Sequence, residues 1–227
     1  MTAPIKRMVF LMASPIPAPG RLISLEGIDG SGKSSLARFL AQELSLLGYP
    51  LVLTKEPGAT PVGCHIRKIL QEKSCAVSPE AEFLLFAADR AQHMIELVEP
   101  ELYKGSIVLS DRMADSSRAY QGFAKGLNEA FIEIVNAWAM KQRVPDLTLY
   151  IQVDYEIAQQ RIALRNEQRT SFEQEDAEFF KRVIDGFNRI FKDRSNVLIL
   201  DGNQPFEIVA AQALSSVVTW LKNNYDF

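Results

Sequence analysis

The chain has 227 residues, 47% of them hydrophobic and 23% charged, and a net charge of −3. That balance fits one domain with a sizeable core and argues against a basic nucleic-acid binder or a membrane-surface protein. Cys64 and Cys75 make no metal-binding spacing, and no apolar run approaches the ~20 residues of a membrane span. Two free thiols in a reducing cytosol are expected, not a disulfide.

In chain order, Lys6-Arg7 and the apolar residues 8–13 resemble the start of a signal peptide, but the apolar part falls short of the usual ~7–15 residues. Residues 14–20 (SPIPAPG) read as an extended linker. Residues 1–20 are therefore read as a flexible extension, with Met8 or Met12 as alternative starts, ahead of a single domain over 21–227. Residues 21–26 (RLISLE) predict a strand. A glycine-rich loop follows, and behind it Leu36, Phe39, Leu40, Leu44 and Leu47 recur at helical spacing up to Gly48. Residues 51–54 predict a second strand, and residues 55–61 a loop with two prolines. A short helix carries Arg67, Lys68 and Leu70.

Ser78-Pro79-Glu80 is a strong helix start. Its helix runs through Phe83, Leu84, Ala87, Ala88 and Ala91 to about Val98, before Pro100. Residues 106–110 predict a third strand ending at Asp111-Arg112, with helical stretches from about Asp115 and over 128–141. Residues 146–153 predict a fourth strand and 155–165 a helix. Residues 166–173 are polar and poorly periodic. A helix over 177–191, a fifth strand over 196–200 and a last helix over 205–225 complete the chain. Five apolar strands alternating with helices imply an α/β fold: a five-stranded parallel sheet with helices on both faces. Ligands of such sheets bind beyond the carboxyl ends of the strands, here Glu26-Gly27, Thr54-Lys55, Asp111-Arg112, Asp154 and Asp201. No internal repeat or second-domain boundary is visible.

The chemistry starts at Gly27-Ile28-Asp29-Gly30-Ser31-Gly32-Lys33-Ser34-Ser35. Gly, four residues, Gly, Lys and Ser between a strand and a helix form a phosphate-cradling loop. Glycines bring backbone N–H groups towards one point, where the helix adds its free N–H groups and dipole. Lys33 is expected on the β- and γ-phosphates and Ser34 on Mg²⁺. Asp29 has two readings: a solvated or capping residue, or one facing a second substrate or the metal. Asp111 either serves Mg²⁺ or pairs with a nearby cation. Arg112 can clamp a phosphate. Phe86 and Arg90, four apart on one helix, share a face that suits either core packing with a rim arginine or a base. Arg161, Arg165 and Arg169 recur every four residues towards the polar segment. They are a solvated face or a source of charge for a moving phosphoryl group. His65 and His93 are read as incidental. The GTPase pattern Asn-Lys-x-Asp is absent.

Residues 26–34 (EGIDGSGKS), 54–58 (TKEPG) and 83–90 (FLLFAADR) resemble thymidylate kinase. So does Asp111-Arg112 followed by Ser116, Ser117, Ala119, Tyr120, Gln121 and Gly122. The resemblance runs from about Arg21 to the C-terminus. It implies the P-loop nucleoside-monophosphate-kinase fold and ATP-dependent, Mg²⁺-assisted conversion of dTMP to dTDP by a cytoplasmic homodimer. Phe86 would then stack on thymine, Arg90 bond the base edge, Ser117 lie near the base and Tyr120 pack on the sugar. Asp29 would face the 3′-hydroxyl side of dTMP or its metal. Glu56, Arg67 and Arg112 would line the monophosphate side, with Gln121 as second-line support. Gly30 stands where some relatives carry an arginine, which shifts the catalytic charge to a short lid near 165–173. That lid departs from the relatives' Arg-Gly-x-x-Asp-Arg pattern, so Arg161, Arg165 and Arg169 all stay candidates.

Overall fold

The computed structural model describes residues 19–72, 76–165, 172 and 175–225. Residues 1–18 of the expected extension lie outside these, as do Cys75, Arg169 and the rest of the polar segment except Phe172. Strands β1 (Arg21–Glu26), β2 (Leu51–Lys55), β3 (Ile107–Asp111), β4 (Leu147–Gln152) and β5 (Val197–Asp201) form one all-parallel sheet in the order β2-β3-β1-β4-β5. β1 sits at its centre, with β3 on one side and β4 on the other. The crossovers diverge around it, the place where ligands of open α/β sheets bind.

Strand side chains alternate faces. Ile23, Leu25, Ile107, Leu109, Leu149 and Ile151 meet one helical layer, α1 (Lys33–Leu46) and α9 (Phe206–Asn224), through Leu36, Leu40, Leu44, Ala213, Val217 and Leu221. The opposite face divides in two. Leu22 and Val108 pack on Met94, Val98 and Leu102. Tyr150 packs on Phe187 and Phe191 of α8 (Ala177–Phe191). Each fully buried Leu or Phe is worth about 1.5–3 kcal/mol, so both layers press the sheet ends that carry the site into fixed positions.

The helix after Ser78 extends further than its sequence suggests. α3 (Pro79–His93) passes through a π-helical turn, Met94–Val98, into α4 (Glu99–Tyr103) without leaving helical geometry. Pro100 therefore does not terminate it. It stands in the first turn of α4, where a missing N–H costs little. Pro61 likewise belongs to a helix rather than a loop, opening α2 (Pro61–Gln71) behind the Thr60 cap. A second π-helical stretch, Arg118–Ala124, follows α5 (Ala114–Ser117) and precedes α6 (Glu129–Ala139). α7 (Tyr155–Ala163) leads to the polar segment.

Candidate active site

Among the described residues, four helices start on a side-chain cap: Thr60, Ser78, Asn128 and Asp176 each accept from an N–H of the first turn. α1 does not. Gly32 precedes it with φ 97° and no side-chain cap, and its first turn holds no acid. The uncapped N–H groups face the glycine loop, a ready anion site. Gly30 has φ 82°, and a Cβ there would lie 2.3 Å from the Ala158 carbonyl oxygen, so only glycine fits. Lys33 is buried; its Nζ donates to the Ile28 carbonyl at 2.7 Å and reaches Ser31 Oγ at 3.3 Å. Burial, and then Arg112, pull its pKa down to about 8. A phosphate at the loop would oppose both effects by favouring the charged form.

Ser34 Oγ donates to Asp111 Oδ2 at 2.5 Å. The other oxygen, Asp111 Oδ1, is buried without a partner. A hydroxyl and a half-satisfied carboxylate are hard oxygen ligands of the kind Mg²⁺ takes. No group of three or more His, Cys, Asp or Glu side chains able to hold a metal exists among the described residues, so the fit is to a Mg²⁺ whose remaining ligands come from phosphates and water.

Arg112 follows with φ 75°, an uncommon conformation for a side-chain-bearing residue. Its backbone N–H donates to the Leu25 carbonyl, which fixes the turn beside β1. The guanidinium donates to Asp29 Oδ1 at 2.6 Å, Gly27 O at 2.8 Å and Ser116 Oγ at 2.9 Å, and lies over the Tyr120 ring. Burial works against the Asp29 charge, but Arg112, Lys33 and Arg165 outweigh it and hold the carboxylate below its usual pKa. Asp29 is thus part-buried and ion-paired to Arg112 rather than free in solvent. Behind them Glu26 is fully buried. It accepts from Met113 N at 2.8 Å and Ser116 Oγ at 2.5 Å. Burial, and then Asp115, raise its pKa to about 8.

Across the cleft stands a different wall. Phe86 and Arg90 both line it from α3. Arg90 is only 1% exposed. It donates from Nε to Glu56 Oε2 at 2.8 Å, from Nη1 to Asn136 Oδ1 at 2.6 Å, and from Nη2 to Met113 O and Ser117 Oγ, both at 3.2 Å. Four of its five donors are used, leaving one N–H. Glu56, expected on the monophosphate side, lines the cleft, with its oxygens bonded to Arg90 and His93. His93, set aside in the sequence, is buried and bonds both Glu56 and Thr54. Asp89 on the same helix accepts from Gly58 N at 2.9 Å, and burial, and then Glu56, raise its pKa to about 6.

Ser116, Ser117, Tyr120 and Gln121 share one helical face and all line the cleft. Gln121 donates to Glu82, which is paired with Lys125, and so braces the wall from behind. Arg67 lines the cleft and donates to Pro57 O at 3.0 Å. Arg161 and Arg165 line the opposite rim, with Arg161 near the Gln204 carbonyl at 3.5 Å. Phe172 closes on Phe86 and Tyr120 at centroid separations of 5.8 and 6.2 Å.

These parts surround one cavity of about 1260 Å³. Besides His93, sequence reading missed Asn136, Phe172, Gln204 and Phe206. His93 lies three residues after Arg90 on one helix, a spacing that could have linked them. The others come from distant segments and carry no local signal.

The thymidylate kinase family model matches residues 25–213. The thymidylate kinase of Halothermothrix orenii is 40% identical over 79% of this chain and 88% of its own length. That of Caldanaerobacter subterraneus subsp. tengcongensis is also 40% identical, over 89% of this chain and 97% of its own. For Leifsonia xyli subsp. xyli the figures are 38%, 88% and 96%. With a strand–glycine loop–helix unit at the centre of an all-parallel sheet and a family match over most of its length, the chain belongs to the thymidylate kinase family.

Proposed function

We propose that this chain transfers the γ-phosphoryl group of ATP to dTMP, giving dTDP and ADP. The observation that carries this reading is one cleft with two unlike ends. A phosphate loop occupies one end and an aromatic–arginine wall the other, in a cavity of about 1260 Å³ that is large for a single small ligand. ATP phosphates rest on the N–H groups around Gly30, Ser31 and Gly32, with Ser35 and Ile28 completing the loop. Lys33 turns from the Ile28 carbonyl to the β- and γ-phosphates. Ser34 and Asp111 would hold Mg²⁺, which supplies neutralisation of the phosphate charge.

At the other end Phe86 stacks on thymine, while the remaining Arg90 N–H and Ser117 face the base edge. Tyr120 packs on the deoxyribose, and Asp29 faces its 3′ side. Arg67 and Arg112 meet the monophosphate. The acceptor is already an anionic phosphate oxygen, so no strong general base is needed; positioning and charge neutralisation lower the barrier. Arg161, Arg165 and Arg169, around a short lid at 165–173, supply charge to the moving phosphoryl group. Closure there excludes water as a rival acceptor.

The enzyme is read as a homodimer in a reducing, cytoplasmic setting. No helix among the described residues is long and apolar enough to cross a membrane. Phe131, Ile134 and Trp138 form an exposed stripe on α6, with Ile134 at 70% and Trp138 at 73% exposure; Leu84 and Ile95 extend it on the adjacent α3 and its π turn. An apolar patch of that kind marks an interface. Trp138→Glu is expected to shift the chain from dimer to monomer in light scattering. For the reaction, the test is ADP release from Mg-ATP across a monophosphate panel. dTMP is expected to be turned over fastest. Faster turnover of dCMP or AMP would move the reading to another nucleotide kinase, and no turnover at all would reduce the chain to a nucleotide binder.

A further inference from the structure

Arg90 lines the cleft with four of its five N–H donors already bonded, so its value for recognition depends on where those bonds hold it. Its Nε bond to Glu56 Oε2 sets the plane of the guanidinium. That bond is only as firm as the Glu56 carboxylate, which sits in the loop after β2 and can rotate. The second oxygen, Oε1, is held at 3.0 Å by His93 Nδ1, and the ring is held in turn by Thr54 Oγ1 at 2.8 Å from Nε2. An ionised carboxylate only accepts, so Nδ1 carries the hydrogen; in the neutral ring Nε2 then accepts from the Thr54 hydroxyl. Every polar atom of the ring is thereby used. His93 is 0% exposed and does not line the cavity. It can act on a ligand only through Glu56 and Arg90.

We propose that His93 is a positioning residue for the monophosphate's base, locking Arg90 in place through Glu56 and itself locked by Thr54. The proposal rests on reading the Phe86–Arg90 wall as the base side of a dTMP site. The chain Thr54–His93–Glu56–Arg90–Asn136 joins the end of β2, α3 and α6, so the base wall takes its shape from three elements at once. A purely structural network would give up stability when cut and leave the kinetics of the folded protein unchanged. A positioning network gives a selective rise in KM for one substrate.

The experiment compares wild type with His93→Leu, His93→Asn and Thr54→Val in steady-state dTMP and ATP titrations, with a thermal melt of each. His93→Leu breaks both contacts and is expected to raise the dTMP KM about tenfold, leaving the ATP KM within twofold. In His93→Asn the amide nitrogen falls near the place of Nδ1, restores the Glu56 contact and recovers most of that loss. Thr54→Val keeps the shape of the side chain where it lines the cavity, removes the hydroxyl that supports the ring, and raises the dTMP KM about threefold with the ATP KM within twofold. A folded His93→Leu with an unchanged dTMP KM overturns the proposal. Should His93→Leu fail to fold, Thr54→Val decides: an unchanged dTMP KM there overturns the proposal equally. Wild-type protein that releases no ADP with dTMP would instead remove the reading of the site itself, and is recognised before any variant is measured.

Discussion

The two ends of the cleft solve opposite problems. At the Phe86–Arg90 wall, Arg90 and the groups that bond it are buried and matched, although Asp89 Oδ2 on the same helix has no partner. Arg90, Glu56, His93, Asn136 and Ser117 bond one another across four segments. At the phosphate floor, charge is concentrated and incompletely matched. Lys33 rests on a backbone carbonyl with its pKa pulled to about 8, Asp111 Oδ1 has no partner, and Arg112 holds a positive φ. The wall is fixed by its own contacts; the floor keeps uncapped N–H groups and a carboxylate oxygen without a partner. Mutations should therefore sort by end: loss at the wall harms both stability and dTMP affinity, whereas loss at the floor harms turnover.

The largest expected effect is at the floor. Lys33→Ala should lower kcat about 10³-fold, as for other groups that stabilise developing charge, with no loss of melting temperature because it removes a buried, poorly compensated charge. A large drop in melting temperature would erase the contrast. Next comes the wall. Arg90→Ala strands the Glu56 carboxylate, so it should destabilise by about 3–5 kcal/mol and raise the dTMP KM about 100-fold. Phe86→Ala should raise that KM about tenfold, since stacking on a base is worth about 1–3 kcal/mol, while kcat at saturation stays near wild type.

The last effect is on stability against pH and belongs to Glu26, a floor residue buried as completely as the wall. Its pKa rises from 4.5 to about 8 on folding. Between those values the native state binds more protons than the unfolded one, so this carboxyl makes stability fall as pH rises through that window and has no further effect above it. Chemical denaturation of wild type against Glu26→Gln should show a difference that changes with pH by at most about 1.4 kcal/mol per unit between pH 4.5 and 8. A pH-independent difference would mean that Glu26 is ionised in the native protein.

The phosphate floor was legible in the sequence because it is local. Gly27 to Ser35 is one uninterrupted loop between an apolar strand and an amphipathic helix. Asp111 and Arg112 likewise sit at the end of a strand whose apolar run is plain. The five strands and their neighbouring helices could be read for the same reason. The wall was only half legible. Phe86 and Arg90 share a helix face, but their supports come from elsewhere in the chain: Thr54 and Glu56 from the end of β2, Asn136 from α6, and Phe172 from beyond α7. Tertiary contacts of that range leave no periodic trace. Pro100 misled for a related reason: the π turn before it lets the helix continue past a residue that usually stops one.

The division between the two ends is tested most directly by titrating Lys33→Ala with dTMP in a calorimeter. The expected result is a dTMP affinity within about threefold of wild type in a protein whose ADP formation has fallen about 10³-fold. Loss of dTMP binding together with turnover would contradict it, and would make the cleft one interdependent site.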